Sequence, residues 1–155
     1  MVHVPVLLEE TVSRLVTEPG GWYVDGTAGA GGHAAAVLAA AGLDAHLLAL
    51  DRDGDALALA QDALAPFGER VVLERANFSE MAAVAARHGV RDVRGILLDL
   101  GVSSMQLDRA ERGFSFLRDS PLDMRMDDRQ ELTAAELLKR LSPVELADVL
   151  WRYGE

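Results

Sequence analysis

Apolar segments alternate with helix-forming segments from Trp22 to Leu100. The apolar segments are short, and the segments between them carry apolar residues at helical spacing and end at Gly or Pro. The predicted strands are residues 22–25, 45–50, 71–75 and 95–100, and the predicted helices after the first three are 34–41, 53–65 and 80–88. Strands that alternate with helices in this way form right-handed crossovers on a parallel sheet. The sequence therefore predicts an α/β fold with an open sheet of about four parallel strands.

Outside this region the pattern is helical or irregular. An amphipathic helix over about 7–16 precedes the first strand. Residues 101–130 show neither a helical nor a strand period, which is typical of an ordered long loop with a function. Two helices follow, and each begins at a capping box, Thr133 to Glu136 and Ser142 to Glu145. Because nothing after Leu100 indicates a further strand, we expect the chain to carry an incomplete sheet.

The composition is that of a globular protein, with 50% hydrophobic and 26% charged residues among 155. The absence of cysteine excludes a disulfide framework, a thiolate nucleophile and cysteine-ligated zinc, and it makes the cytoplasm the default compartment. The four histidines are scattered and indicate no metal site. The apolar run at the N-terminus reaches Glu9 too soon for a signal peptide or a membrane span, so we expect a soluble protein.

The net charge argues against a nucleic-acid partner. It is −10 at pH 7, whereas the electrostatic footprint of a nucleic-acid binder is basic. Five arginines lie between Arg109 and Arg129, interleaved with six acidic residues from Asp108 to Asp128, and such a mixed run is typical of a solvated surface. A role in RNA recognition would therefore depend on individual arginines, which can clamp phosphate and stack on bases.

Residues suited to ligand contacts lie at or just after the carboxyl end of each predicted strand, where doubly wound sheets bind their ligands. They are Asp25 with the glycine loop 26–32, Asp51, Asn77 with Phe78, and Asp99 near the end of the fourth strand. Within the loop, Gly29-x-Gly31-x-x-Ala34 satisfies the fingerprint of dinucleotide-binding folds, which is a weak signal by itself. The fingerprint predicts a nucleotide cofactor without choosing between NAD and S-adenosylmethionine.

Asp25 favours one of these cofactors, because a fixed carboxylate before the loop repels the pyrophosphate of NAD and attracts the ammonium and sulfonium groups of S-adenosylmethionine. Asp51 lies 19 residues after Gly32, where a carboxylate accepts the ribose hydroxyls of either cofactor. Phe78 is suited to cover an adenine face. Each residue also has a structural interpretation: Asp25 braces the loop, Asp51 caps the helix that begins near Asp53, and Phe78 packs under a loop.

Eight motifs follow one another along the chain. They are His3-Val-Pro-Val-Leu7, Tyr23-Val-Asp-Gly-Thr27, Gly31-Gly-His33, Asp99-Leu-Gly-Val-Ser-Ser104, Gln106-Leu107, Arg112-Gly-Phe-Ser-Phe116, Pro121-Leu-Asp-Met-Arg-Met126 and Tyr153-Gly-Glu155. Together they resemble the bacterial MraW (RsmH) family, whose members are S-adenosylmethionine-dependent methyltransferases acting on the N(4) amino group of a cytidine in 16S ribosomal RNA. The resemblance implies a Rossmann-like methyltransferase domain over residues 1–107. It also implies that residues 108–155 begin a substrate-recognition insert of loops and helices, which we expect to be incomplete.

The resemblance implies site residues and partners as well. The implied cofactor contacts are Gly31, Gly32, His33, Asp51, Phe78, Asp99 and Gln106. Asp99 is also the candidate catalytic residue, because a fixed carboxylate can accept an N–H hydrogen bond from an amino group on which positive charge develops. The implied partner is 16S ribosomal RNA in the small ribosomal subunit, and no metal is needed.

Three further groups are candidates for contacts with RNA or with the methionine part of the cofactor. They are the hydroxyls of Ser103 and Ser104, the rings of Phe114 and Phe116, and the guanidinium groups of Arg112, Arg118 and Arg125. The serines are equally suited to cap a helix, and the phenylalanines to pack in a core. Two other functions remain open at this point: an NAD-binding Rossmann dehydrogenase, and a truncated module that binds a cofactor or partner without catalysis.

Overall fold

The structure is a computed structural model, and it describes residues 5–154. His3 and Glu155, which belong to the motifs of the family resemblance, lie outside the described residues. The chain divides into two compact units, one ending at Gly101 and the other beginning at Val102. The predicted boundary after residue 107, between a methyltransferase domain and an insert, stays a prediction. In the range 5–154, no helix is both long enough and apolar enough to cross a membrane.

The first unit contains a four-stranded parallel sheet flanked by helices, which confirms the predicted α/β fold. The strands are β1 (Gly21–Asp25), β2 (Ala45–Asp51), β3 (Val71–Arg75) and β4 (Val93–Leu97), and the helices are α1 (Leu8–Leu15), α2 (Gly32–Ala41), α3 (Gly54–Leu64) and α4 (Met81–Arg87). The strand order is β3-β2-β1-β4. The chain adds β2 and β3 on one side of β1 and then crosses back to add β4 on the other side. The carboxyl ends of β1 and β4 therefore lie side by side at the point where the strand order reverses, which is where such sheets bind ligands.

The strands bury alternate side chains on opposite faces of the sheet. Tyr23 and Leu47 pack with residues of α1, α2 and α3 on one face. Val24 and Leu48 pack with residues of α4 on the other face. β2 is buried on both faces, as its continuous apolar sequence predicts. Because each fully buried leucine contributes roughly 1.5–3 kcal/mol, the sheet is a firm support for the loops at its carboxyl edge.

β4 differs from its prediction. It begins at Val93 and ends at Leu97, whereas the apolar sequence predicts a strand over 95–100. The register with β1 explains the difference, because Leu97 is paired with Asp25 and β1 ends at Asp25. The residues after Leu97 therefore leave the ladder, and Asp99 lies two residues beyond the strand rather than at its end.

The second unit contains α5 (Ser104–Asp108), α6 (Ala134–Arg140) and α7 (Pro143–Tyr153). The segment between α5 and α6 is irregular apart from the 3₁₀ turn Ala110–Arg112, in agreement with its lack of sequence period. Both predicted capping boxes are present. The Thr133 hydroxyl accepts the N–H of Glu136 at 3.2 Å, and the Glu136 carboxylate accepts the N–H of Thr133 at 3.1 Å. Ser142 and Glu145 cap α7 in the same way.

Candidate functional site

The glycine loop after β1 is attached to both neighbouring strands. The N–H of Gly26 donates to the carbonyl of Leu97 in β4 at 3.0 Å, and the N–H of Ala28 donates to the carbonyl of Leu50 in β2 at 2.9 Å. These two bonds continue the hydrogen bonding of the sheet into the loop. The loop therefore lies across the carboxyl ends of β4, β1 and β2, where the sequence predicts a ligand site.

Asp51 joins this loop to the turn before α3. Its Oδ2 accepts the N–H of Gly29 at 2.8 Å, and its Oδ1 accepts the N–H of Asp53 at 2.9 Å. The cap of α3 is Asp53, whose Oδ1 accepts the N–H of Asp55 at 3.0 Å, so the interpretation of Asp51 as a helix cap is wrong. Each carboxylate oxygen offers about two acceptor positions, and the half-buried Asp51 can accept further hydrogen bonds.

Asp25 has one satisfied and one unsatisfied oxygen. Its Oδ1 accepts the N–H of Thr27 at 3.0 Å, which is the loop-bracing role that the structural interpretation predicts. Its Oδ2 is buried and has no hydrogen-bond partner among the described residues. Burial raises the pKa of Asp25 to about 6, although the Thr27 N–H and the nearby His33 lower it. A buried oxygen without a donor costs roughly 1–3 kcal/mol, so this atom suits a donor or a cation supplied by a ligand.

His33 in the first turn of α2 lies near Asp99, which follows β4. The His33 Nε2 is 3.0 Å from the carbonyl oxygen of Val6, and because a carbonyl can only accept, Nε2 is the nitrogen that carries hydrogen. The His33 Nδ1 is 3.8 Å from the Asp99 Oδ2. The His33 side chain is 10% exposed, whereas that of Asp99 is 55% exposed and accessible to a ligand. The structure thus brings these two predicted site residues together.

The glycines at the start of α2 are closely packed. Gly31 has a φ of 84°, and a Cβ atom at this position would lie 3.2 Å from the Cα of Ala60 in α3. A Cβ atom on Gly32 would lie 2.5 Å from the Cγ of Pro5. A glycine cap has no side chain to accept the N–H groups of the first helical turn. These N–H groups are therefore suited to an anionic group of a ligand.

Phe78 begins the 3₁₀ turn Phe78–Glu80 after β3 and is half-buried. It lies beside the glycine loop, since a Cβ atom on Gly26 would come within 3.0 Å of the Phe78 Cβ. Asn77 is the N-cap of this turn, and its Oδ1 accepts the N–H of Ser79 at 2.9 Å. Phe78 rather than Asn77 is therefore the better candidate for contact with a ligand.

Gln106 belongs to the second unit, and its predicted cofactor contact stays a prediction. It is buried, and its Oε1 accepts the N–H of Ser103 at 3.0 Å. The Ser103 hydroxyl in turn accepts the N–H of Gln106 at 3.2 Å, so Ser103 caps α5 as its structural interpretation predicts.

The arginines of the irregular segment have different roles. The Arg125 guanidinium donates to the Asp123 carboxylate and, at 2.6 Å, to the carbonyl of Gln130. The Arg112 guanidinium donates to the carbonyls of Arg125 and Met126 at 3.1 and 3.2 Å. These contacts hold the segment together and favour structural roles for both residues rather than the predicted phosphate contacts.

A surface cavity in the same segment presents different side chains. It has a volume of about 310 Å³ and is lined by residues 113–116 and 118–122. Phe116 is 97% exposed, whereas Phe114 is half-buried. Arg118 is exposed and makes no ion pair or hydrogen bond with another described residue. Of the predicted RNA contacts, Phe116 and Arg118 are the most accessible.

Thr27 is a site residue that the sequence analysis misses. Its hydroxyl oxygen accepts the N–H of Asp99 at 2.7 Å and lies 3.4 Å from the Asp25 Oδ1. The local signal was the Asp25-Gly-Thr27 spacing, which is that of an Asx turn.

The described part of the chain contains no group of three or more potential metal ligands.

Comparison with known proteins identifies close relatives. The sequence matches the MraW methylase family over residues 1–155. It is 52% identical over 153 residues to the ribosomal RNA small subunit methyltransferase H of Symbiobacterium thermophilum, covering 99% of this chain and 48% of that protein. The protein of the same name from Syntrophus aciditrophicus is also 52% identical, with 49% of its length covered. The chain thus spans about half the length of these relatives. A solved rRNA methylase from Streptococcus thermophilus has a TM-score of 0.47 at 21% identity, covering 65% of this chain and 57% of that chain.

Proposed function

The chain belongs to the MraW methylase family, and we propose that it takes part in S-adenosylmethionine-dependent methyl transfer to the N(4) amino group of a cytidine in 16S ribosomal RNA. The observation that carries the cofactor assignment is the buried, unpartnered Oδ2 of Asp25 beside the glycine loop. The names of the relatives, which are small-subunit rRNA methyltransferases, support the substrate. Such an enzyme acts where ribosomes assemble, so we expect it in the cytoplasm.

The residues of the site fit the chemical groups of S-adenosylmethionine. The carboxylate of Asp25 suits the ammonium group, and the N–H groups of the first turn of α2, from Gly32, suit the carboxylate. Asp51 accepts the ribose hydroxyls, and Phe78 covers the adenine. The remaining proposed contacts are Gly31, His33, Asp99 and Gln106. When bound, this cofactor supplies a methyl group on a positively charged sulfur atom.

Charge separates this proposal from an NAD-dependent dehydrogenase. NAD carries a pyrophosphate, and the site presents the carboxylates of Asp25 and Asp99 near the glycine loop. Two phosphate charges next to these carboxylates are unfavourable, because like charges in a partly buried site repel strongly. A sulfonium cofactor carries a positive charge at its reacting sulfur atom, so the same carboxylates attract it.

Asp99 is the proposed catalytic residue. The exocyclic nitrogen of cytosine is a weak nucleophile because its lone pair is delocalised into the ring. A fixed carboxylate that accepts one N–H of this amino group orients it and stabilises the positive charge that develops on the nitrogen. Asp99 is suited to this role because its carboxylate is 55% exposed while its backbone is anchored to Thr27.

The RNA is proposed to contact the exposed part of the irregular segment. The ring of Phe116 can stack on an unpaired base, and the guanidinium group of Arg118 can bind phosphate. Both residues lie on the accessible lining of the 310 Å³ cavity. The proposal assigns Arg112 and Arg125 to holding this segment in shape. The target base leaves its helical stack to reach a pocket, as in other enzymes that modify bases.

Cofactor binding and methyl transfer test the proposal separately in the complete gene product. At a concentration of about 100 times Kd, S-adenosylmethionine is expected to raise the Tm by roughly 5–10 °C, and NADH is expected to leave it unchanged. Labelled methyl transfer is then measured on small ribosomal subunits that lack the modification. Stabilisation by NADH alone would support a dehydrogenase, and cofactor binding without transfer would support a non-catalytic module.

A further inference from the structure

We propose that Thr27 is a positioning residue that holds the main chain of Asp99 in place for methyl transfer. The inference rests on the proposed function, because it assigns a role in that reaction. Thr27 lies in the glycine loop, and Asp99 lies 72 residues further along the chain. The hydroxyl of Thr27 links the buried carboxylate of Asp25, which ends β1, to the main-chain N–H of Asp99, which follows β4.

The direction of the hydrogen bonds around Thr27 is determined by its partners. The Asp99 N–H can only donate, so the Thr27 Oγ1 accepts it, at 2.7 Å. The ionised Asp25 carboxylate can only accept, so the hydroxyl hydrogen is directed to its Oδ1, at 3.4 Å. The Thr27 N–H donates to the same Oδ1 at 3.0 Å, which fixes the rotation of the carboxylate. The hydroxyl is therefore oriented with a lone pair towards Asp99.

The backbone around Asp99 depends on this bond because the sheet no longer holds it. The ladder between β1 and β4 ends at the pair Asp25 and Leu97, and the carbonyl of Leu97 accepts the N–H of Gly26. Within the described part of the chain, the bond to Thr27 is the only hydrogen bond that the main chain of residues 98–101 makes. A main chain without such a bond moves more freely.

The side chain of Asp99 does not provide a substitute. Its carboxylate is 55% exposed, and its Oδ2 lies 3.8 Å from the His33 Nδ1, beyond hydrogen-bond distance. His33 itself is held by the carbonyl of Val6. The position of the Asp99 carboxylate is therefore set mainly by its backbone, and thus by Thr27. A displacement of about 1 Å can reduce a rate by roughly 10²-fold. We therefore expect the loss of this bond to lower the rate of methyl transfer more than it lowers the affinity for the cofactor.

Two substitutions at Thr27 separate the hydroxyl from the shape of the side chain. Thr27→Val keeps the branched shape and removes the hydroxyl, whereas Thr27→Ser keeps the hydroxyl. In the complete gene product, we expect Thr27→Val to lower kcat by roughly 10- to 100-fold, with the Kd for S-adenosylmethionine within about threefold of wild type. We expect Thr27→Ser to recover most of the lost kcat. Hydrogen exchange of the Asp99 amide should be faster in the valine variant and close to wild type in the serine variant.

The outcomes distinguish this inference from the proposed function. If the wild-type enzyme transfers methyl groups and Thr27→Val is equally fast, the inference is overturned and the proposed function stands. If the serine variant is as slow as the valine variant, Thr27 supports the fold rather than positioning Asp99. The same conclusion follows if the valine variant loses cofactor binding or loses cooperative unfolding. If wild-type enzyme transfers no methyl group, the proposed function fails, and the role of Thr27 in it fails too.

Discussion

The Oδ2 atom of Asp51 accepts the N–H of Gly29 at 2.8 Å, so a carboxylate at the end of β2 helps to shape the glycine loop after β1. The other oxygen of Asp51 accepts the N–H of Asp53 at the start of α3. The residue proposed to bind the ribose is thus also part of the support of the loop. Cofactor affinity and loop structure are therefore expected to depend on the same side chain.

Asp51→Ala is expected to weaken S-adenosylmethionine binding by at least roughly 100-fold and to lower stability by about 1–3 kcal/mol, because two N–H groups lose their acceptor. Titration calorimetry and urea unfolding measure the two effects. Asp44→Ala is the matched control, since Asp44 is exposed and precedes β2 at the opposite end of the strand. Equal affinities in the two variants would exclude Asp51 from the cofactor site.

Asp25→Asn is expected to stabilise the protein without ligand and to weaken cofactor binding. Burial raises the pKa of Asp25 from 3.8 to about 6 in the folded protein, so the folded state binds more protons than the unfolded state between these values. Stability therefore falls as the pH rises through this range, by roughly 3 kcal/mol at most, and the loss persists above it. Asparagine carries no charge and avoids this loss.

The test of Asp25 is urea unfolding of both proteins from pH 4 to pH 8. The stability gained by Asp25→Asn should grow as the pH rises to about 6 and then level off. A variant that is less stable than wild type at pH 8 would contradict the assignment of an unfavourable buried charge. If Asp25→Asn binds S-adenosylmethionine with unchanged affinity, the Asp25 carboxylate does not contact the ammonium group of the cofactor.

Leu48→Ala is expected to lower the free energy of unfolding by about 2–5 kcal/mol, because Leu48 is fully buried in the central strand β2 and the substitution leaves a cavity. Leu43→Ala is the control. Leu43 is 85% exposed just before the strand, and its loss should cost less than about 0.5 kcal/mol. Similar losses in the two variants would argue against the burial of Leu48 on the α4 side of the sheet.

Arg118→Ala is expected to weaken rRNA binding and to reduce the slope of log K against log salt by about 1, because one phosphate contact is lost. Its stability should be unchanged, since Arg118 is exposed. Arg125→Ala serves as the comparison, and it should lower stability because Arg125 bridges Asp123 and the carbonyl of Gln130. An unchanged salt slope for Arg118→Ala would remove this residue from the RNA interface.

Local patterns predicted most of the secondary structure. β1, β2 and β3 lie where short apolar segments predict them, and α6 and α7 begin at the predicted caps Thr133 and Ser142. Hydrophobic periodicity and helix caps involve residues within a few positions of one another, so a sequence reveals them directly. The rule that ligands bind at the carboxyl ends of parallel strands also predicted that Asp25, Asp51 and Asp99 belong near one loop.

Contacts between distant residues account for what sequence reasoning missed. The end of β4 at Leu97 follows from the length of its neighbour β1. The anchoring of Asp99 depends on Thr27, which is 72 residues away, and the His33 ring is held by a carbonyl 27 residues away. Similarly, Arg112 looks like an exposed cation in the sequence, yet folding turns it towards the carbonyl oxygens of Arg125 and Met126. Periodicity and composition carry no information on such pairs, because a hydrogen bond between remote residues forms only once the packed chain has brought donor and acceptor together.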